Sequence, residues 1–84
     1  MGNYFSSTNY YTMEEIRKHN TENSCWLIVD NKVYDVTEIM NKHPPGKKPI
    51  LNKAGGNATQ DFHFHSKNTQ KIWKKFCIGK VIYD

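Results

Sequence analysis

Residues 25–36, CWLIVDNKVYDV, constrain the fold more than any other stretch of the chain. CWLIVD is a compact apolar run of strand length, NK is a turn signal, and KVYDV alternates, with Val33 and Asp35 on one face and Tyr34 and Val36 on the other. A hairpin is the simplest join. With 84 residues the chain makes one domain near the lower end of what folds alone, so help from a cofactor would be unsurprising. Two tryptophans, five tyrosines and four phenylalanines supply the bulky side chains that disordered sequences usually lack.

The remaining segments read as short pieces around that hairpin. MGNYFSSTNY is polar, giving a flexible arm over residues 1–9 and a folded domain over 10–84. Thr12 and Glu15 form a capping box, and Ile16 continues a short amphipathic helix that HNTENS stops. Thr37 caps a brief helix through Met40 that ends before Pro44. Pro44, Pro45, Gly46 and Pro49 then read as a stiff turn presenting His43, and a second short helix holds Ile50 and Leu51 until AGG at 54–56 closes it. Thr59 starts another helix around Phe62. HSKNTQKIWKKF carries Ile72, Trp73 and Phe76 at helical spacing, and CIGKVIY closes the chain as a strand. The fold class is α+β.

Composition excludes several classes. Cys25 and Cys77 lie far apart, and neither belongs to a CxxC or CxxCH pattern, which argues against a zinc ribbon or a covalently attached c-type haem. The sequence has no secretory h-region and no apolar run of about 18 residues, so a reducing, cytosolic setting is the default. Net charge is +4, unevenly spread: residues 40–84 hold nine lysines against Asp61 and Asp84. That half would attract acidic partners or anionic lipid, unless it is simply a solvated surface.

The same half contains every histidine except His19, whose simplest role is a surface or hydrogen-bonded one. His43 and the pair His63 and His65 each fall at the tip of a helix-turn segment, separated by a loop rich in glycine and apolar residues; Ile50, Leu51, Phe62 and Phe64 lie nearby in sequence. Two neutral imidazoles facing across an apolar slot suit a large planar cofactor with a metal centre. With both axial positions held by protein, one-electron transfer is the chemistry that remains.

On these residues the chain resembles the cytochrome b5 family from about Tyr10 to Tyr83. CWLIVDNKVYDVT is similar to the family's W…VYDVT hairpin, HPPG to its HPGG, AGGNAT to its AGGDAT, and FHFHS to its F…HS. The resemblance implies a cytochrome b5-like fold, a small mixed sheet with helix-turn pairs enclosing a haem slot. It implies a non-covalent haem b ligated by His43 and His65, with Ser66 toward a propionate, Phe62 packed beside the ring, and Ile50 and Leu51 in the aliphatic wall. Pro45 departs from HPGG. The loop before HS is shorter than in typical members, which draws Phe64 toward the haem and leaves His63 as a surface or supporting histidine.

The function so implied is a small electron carrier rather than an enzyme. It would be monomeric, take electrons from a flavin-dependent reductase, and pass them to an acceptor oxidase such as a desaturase or hydroxylase. Lys42, Lys47, Lys48, Lys53, Lys67 and Lys71 flank both ligands, where typical members present acidic residues, so an acidic docking surface is expected on the partner. A zinc module built from His43, His63, His65 and Cys77, or a basic nucleic-acid-binding module using the lysines with Trp73 and Phe76, are the alternatives. No transmembrane anchor is expected after the last strand. MGNYFS fits the M-G-x-x-x-[ST] pattern for myristoylation at Gly2, which would add weak peripheral attachment to a cytosolic membrane face; a plain polar arm is the competing reading.

Overall fold

The computed structural model describes residues 8–42 and 44–83, except for the side chains of residues 44–46. Among them run β1 (Tyr10–Thr12), α1 (Met13–Arg17), β2 (Asn20–Thr21), β3 (Ser24–Val29), β4 (Lys32–Asp35), α2 (Thr37–Lys42), α3 (Pro44–Lys53), α4 (Thr59–Phe64), α5 (Lys67–Trp73), a 3₁₀ turn (Lys74–Phe76) and β5 (Cys77–Ile82). The strands form a mixed sheet in the order β1-β5-β4-β3-β2. Only β1 and β5 pair in parallel. The α+β expectation holds.

The hairpin is the spine of this sheet. Ile28 pairs with Val33 and Leu27 with Tyr34, and the turn falls on Asp30 and Asn31, both at positive φ (49° and 67°). Two successive left-handed residues match the right-handed twist of the flanking strands, and Asp and Asn tolerate that region better than most. The turn is thus one residue earlier than NK. Tyr83 Oη donates to Asn31 Oδ1 at 2.9 Å and Val81 N to Asn31 O at 2.9 Å, which ties the turn to the end of β5.

From Cys25 onward β3 is apolar and buried, because both of its faces are covered. Cys25, Leu27 and Val29 join Tyr34, Val36, Met40 and Phe62 in one cluster, while Trp26 and Ile28 join Ile16, Val33 and Val81 in the other. Burial of each such side chain contributes roughly 1.5–3 kcal/mol. The second cluster is closed by α1, where Thr12 Oγ1 accepts from Glu15 N at 3.1 Å as the capping box requires. His19 closes its edge: it stacks on Trp26 with ring centroids 3.5 Å apart, and its nitrogens reach Ser24 Oγ (2.6 Å) and Glu15 Oε2 (2.8 Å).

Two expectations need correction. Thr37 is the first residue of α2 rather than its cap; Asp35 Oδ1 accepts from both its N (3.1 Å) and its Oγ1 (2.7 Å), while Thr37 Oγ1 accepts from Cys25 N at 2.8 Å. The segment 44–49 is not a turn but the start of α3. Pro44 and Pro45 fall in the helix's first turn, where backbone N–H groups have no intrahelical partner to lose, whereas Pro49 lies inside α3. His43, the residue that segment was expected to aim, lies outside the described residues.

The glycine loop fixes the base of α4. Gly55 N donates to Trp26 O (2.7 Å), Ile28 N to Gly56 O (2.8 Å) and Ala58 N to Ile28 O (2.8 Å), so residues 55–58 run alongside β3. Gly55 has φ +76°, and a Cβ there would sit 3.2 Å from Arg17 O. Only glycine fits comfortably. Among the described residues no helix is long and apolar enough to cross a membrane.

Candidate functional site

The candidate slot lies on the side of the sheet that carries Leu27 and Tyr34, against Phe62 of α4. Two adjoining cavities lie there. One of ≈ 220 Å³ is lined by Leu27, Ile50, Ala58, Phe62, Phe64, His65 and Trp73, with Pro49, Lys53 and Asp61 at its border. The other, of ≈ 520 Å³, is lined by Ile39, Pro49, Ile50, His65, Thr69, Ile72 and Trp73. Both touch Pro49 and Ile50 on α3 and His65 and Trp73 at the α4–α5 corner, so they form one apolar slot between those elements.

His65 follows α4 in extended geometry (φ −75°, ψ 162°). Its N donates to Phe62 O at 3.2 Å, and its O accepts from Gln70 Nε2 at 2.8 Å. Gln70, only 7% exposed, also reaches His63 O at 3.4 Å. The backbone is therefore held on both sides of the imidazole. The ring makes no hydrogen bond among the described residues and lies 6.1 Å from the Trp73 ring at 31°, which leaves its nitrogens free to ligate.

His63 is used differently. Its Nε2 donates to Asp30 Oδ2 at 2.5 Å, its ring meets Phe62 edge-on, and Asp30 N donates to Thr59 Oγ1 at 3.0 Å. The hairpin turn and α4 are braced through this pair. Ser66 caps α5, its Oγ accepting from Thr69 N (3.2 Å) and donating to Thr69 Oγ1 (3.1 Å). Phe64 borders the smaller cavity while 92% exposed. Ile50 lines both cavities, whereas Leu51 packs against the core cluster and borders neither.

Two residues of this site went unassigned in the sequence. Trp73 was legible as core and does pack on Phe62 (6.4 Å, T-shaped), but it also walls both cavities. The signal was available, since Thr69, Ile72 and Trp73 stand at i, i+3 and i+4, one stripe of a helix. Gln70 is the other; its inward position three residues before Trp73 follows the same period.

The lysine rim divides on inspection. Lys42 pairs with Glu38 (3.5 Å), Lys47 with Glu22 (2.6 Å) and Lys53 with Asp61 (3.7 Å), whereas Lys48, Lys67 and Lys71 have no ion-pair partner among the described residues. Behind the slot, burial pushes the Cys25 thiol up to about 11, with Asp35 adding to it, and burial likewise raises the Tyr34 hydroxyl. These groups stay neutral. Among the described residues no three His, Cys, Asp or Glu side chains converge, and His63 is committed to Asp30, so the zinc set gains nothing here. An apolar slot with an imidazole on its wall does fit a flat, metal-bearing group.

Residues 12–82 match the family model described as cytochrome b5-like heme/steroid binding domain. Cytochrome b5 of Sus scrofa is 45% identical over 74 residues, which cover 86% of this chain and 55% of that protein. The chain thus spans about half the length of the curated relatives it matches. Among solved structures, cytochrome b5 of Ostreococcus tauri virus 2 superposes with a TM-score of 0.74 at 40% identity, over 84% of this chain and 94% of that one. Cytochrome b558 of Ectothiorhodospira vacuolata gives 0.79 at 24% identity, over 88% and 99%, a likeness of fold alone.

Proposed function

The chain belongs to the cytochrome b5 family, whose domains bind haem b without a covalent link, and we propose that it is a small one-electron carrier in which His43 and His65 both ligate the iron. The observation that carries this reading is the His65 imidazole, free of hydrogen bonds among the described residues and set on the wall of an apolar slot. When bound, the haem supplies a one-electron couple at its iron.

The protein's own part is to hold and seal. Ile50 and Phe62 present apolar surface to the ring, Leu51 backs that wall from the core, and Phe64 covers the mouth of the slot. Ser66 serves a propionate by turning its hydroxyl hydrogen outward while its oxygen keeps the cap on Thr69 N. Were His43 and His65 both to hold the iron, substrate would find no place on it, and the domain would have no reaction of its own. A flavin-dependent reductase supplies the electron and an oxidase such as a desaturase or hydroxylase takes it. The domain acts as a monomer at the cytosolic side, and Gly2 acylation would add weak membrane attachment.

A visible spectrum of the haem-reconstituted protein tests this. Low-spin bands that sharpen on reduction and ignore carbon monoxide are expected, with loss of the low-spin form in His65→Ala and in His43→Ala. A colourless protein, or a His65→Ala variant with an unchanged spectrum while His63→Ala loses it, would overturn the assignment. Zinc binding without haem, or haem-free binding to nucleic acid, would favour the alternatives.

A further inference from the structure

The split among the lysines extends past the rim. α5 and the 3₁₀ turn after it carry Lys67, Lys71, Lys74 and Lys75, all exposed and none with an ion-pair partner among the described residues. At 3.6 residues per turn Lys67, Lys71 and Lys74 share one stripe, with Lys75 beside it. On the flank beyond Lys74, Gln70 and Trp73 are turned inward. Ile72 stands at the boundary: 46% exposed, three residues before Lys75, and lining the larger cavity.

We propose that this α5 face, four lysines with Ile72 at their edge, is the docking surface for the acidic side of a protein redox partner. The proposal rests on the electron-carrier reading and narrows it, since it moves the contact away from the α2–α3 lysines that Glu38, Glu22 and Asp61 already neutralise. Like charges at i and i+4 repel, so a surface of carboxylates relieves a strain within the helix itself. Ile72 adds one exposed apolar contact at the edge of the lysine stripe nearest the slot. Because one flank of α5 walls the slot, a partner on its outer face sits about one helix diameter (~10 Å) from the cofactor space.

An anionic membrane is the rival occupant for the same charge, and the apolar side of the helix argues against it. Helices that lie in the interface bury a whole apolar face among the lipids. Here that face is committed to the core through Trp73 and Gln70, leaving Ile72 alone. A stripe of lysines with one apolar residue at its edge fits a surface of carboxylates instead.

The test uses the haem-loaded protein and two probes, poly-L-glutamate and phosphatidylcholine vesicles containing phosphatidylserine. Amide shifts on adding polyglutamate should concentrate at residues 67–75. Lys67→Glu/Lys71→Glu/Lys74→Glu should weaken polyglutamate binding by about tenfold or more at low salt, and Lys42→Glu/Lys47→Glu/Lys53→Glu by much less. The corresponding glutamine triple at 67, 71 and 74 should fall between wild type and the reversal. Equal losses from the two sets, shifts centred on residues 42–53, no binding at all, or vesicle binding stronger than polyglutamate binding would each overturn it. Recording the spectrum first keeps the two ideas apart: a protein without haem bands defeats the carrier reading, while a coloured protein whose α5 is silent defeats only the docking surface.

Discussion

Replacing Gln70 by leucine tests how the chain holds the corner that carries His65. The two residues have similar helix propensity, so α5 should persist, and the change removes one amide donor shared by two carbonyls. The bond to His65 O is 2.8 Å, whereas that to His63 O is 3.4 Å and adds little. A buried carbonyl left bare costs about 1–3 kcal/mol, but residue 65 is exposed and water reaches it, so the net value of one hydrogen bond, about 1 kcal/mol, is the better figure. With a urea slope of about 1 kcal/mol per molar, typical of the smallest domains, the unfolding midpoint of the haem-free protein should fall by about 1 M with the slope unchanged. Gln70→Glu sharpens the test. It keeps the shape but points a carboxylate at a carbonyl oxygen, so at neutral pH it should be worse than leucine and recover as acid restores a donor. Haem transfer to an excess of a haem-scavenging protein should quicken in the same order, because the loosened residue is the proposed ligand. A glutamate variant as stable as the leucine one at neutral pH would refute the hydrogen-bond argument outright.

Gly55→Ala should lower stability by about 1–2 kcal/mol, the cost of a left-handed residue with a Cβ, and the close approach to Arg17 adds to it; a thermal midpoint unchanged from wild type would count against the loop's role. Cys25 is buried with its thiol at about 11 while Cys77 is exposed, so iodoacetamide near pH 8 should add a single label to the native chain and two after unfolding, as read by mass. Glu15 is held below the usual glutamate range by its hydrogen bond to His19, so its contribution is complete above the ordinary value, about 4.3, and is lost as pH falls through the lower native one; Glu15→Gln should flatten the stability profile across that acid window, and an unchanged profile would dismiss the pair.

The hairpin was legible because its signals are local. An apolar run with both faces covered, an alternating strand after it and a capping box at Thr12 all follow from neighbours a few residues away. β1 and β2 were not, since three residues and two residues carry no period of their own; β1 exists by pairing Tyr10 with Lys80 and Tyr11 with Val81, at the far end of the chain. Gly79 marks how close that approach is, as a Cβ there would run into Asn9 O and lie 2.9 Å from the Tyr11 ring. The proline-rich segment misled for another reason. Proline's penalty depends on its place in a helix, and the sequence displays the prolines without displaying where the helix begins.

In the site, the proposed choice of His65 over His63 draws support from a residue 33 positions from the first of them: Asp30 takes His63, a contact that no local pattern displays. Charge shows the same limit more strongly. A count of lysines is additive along the chain, but the field they make is not, because Glu22 crosses from the loop before β3 to meet Lys47, and Glu38 and Asp61 meet Lys42 and Lys53. Exposed pairs of this kind contribute little stability. Their effect is instead on where positive potential survives. With the α2–α3 side largely compensated, the potential that would steer an acidic partner is concentrated on α5, beside the helix flank that walls the slot.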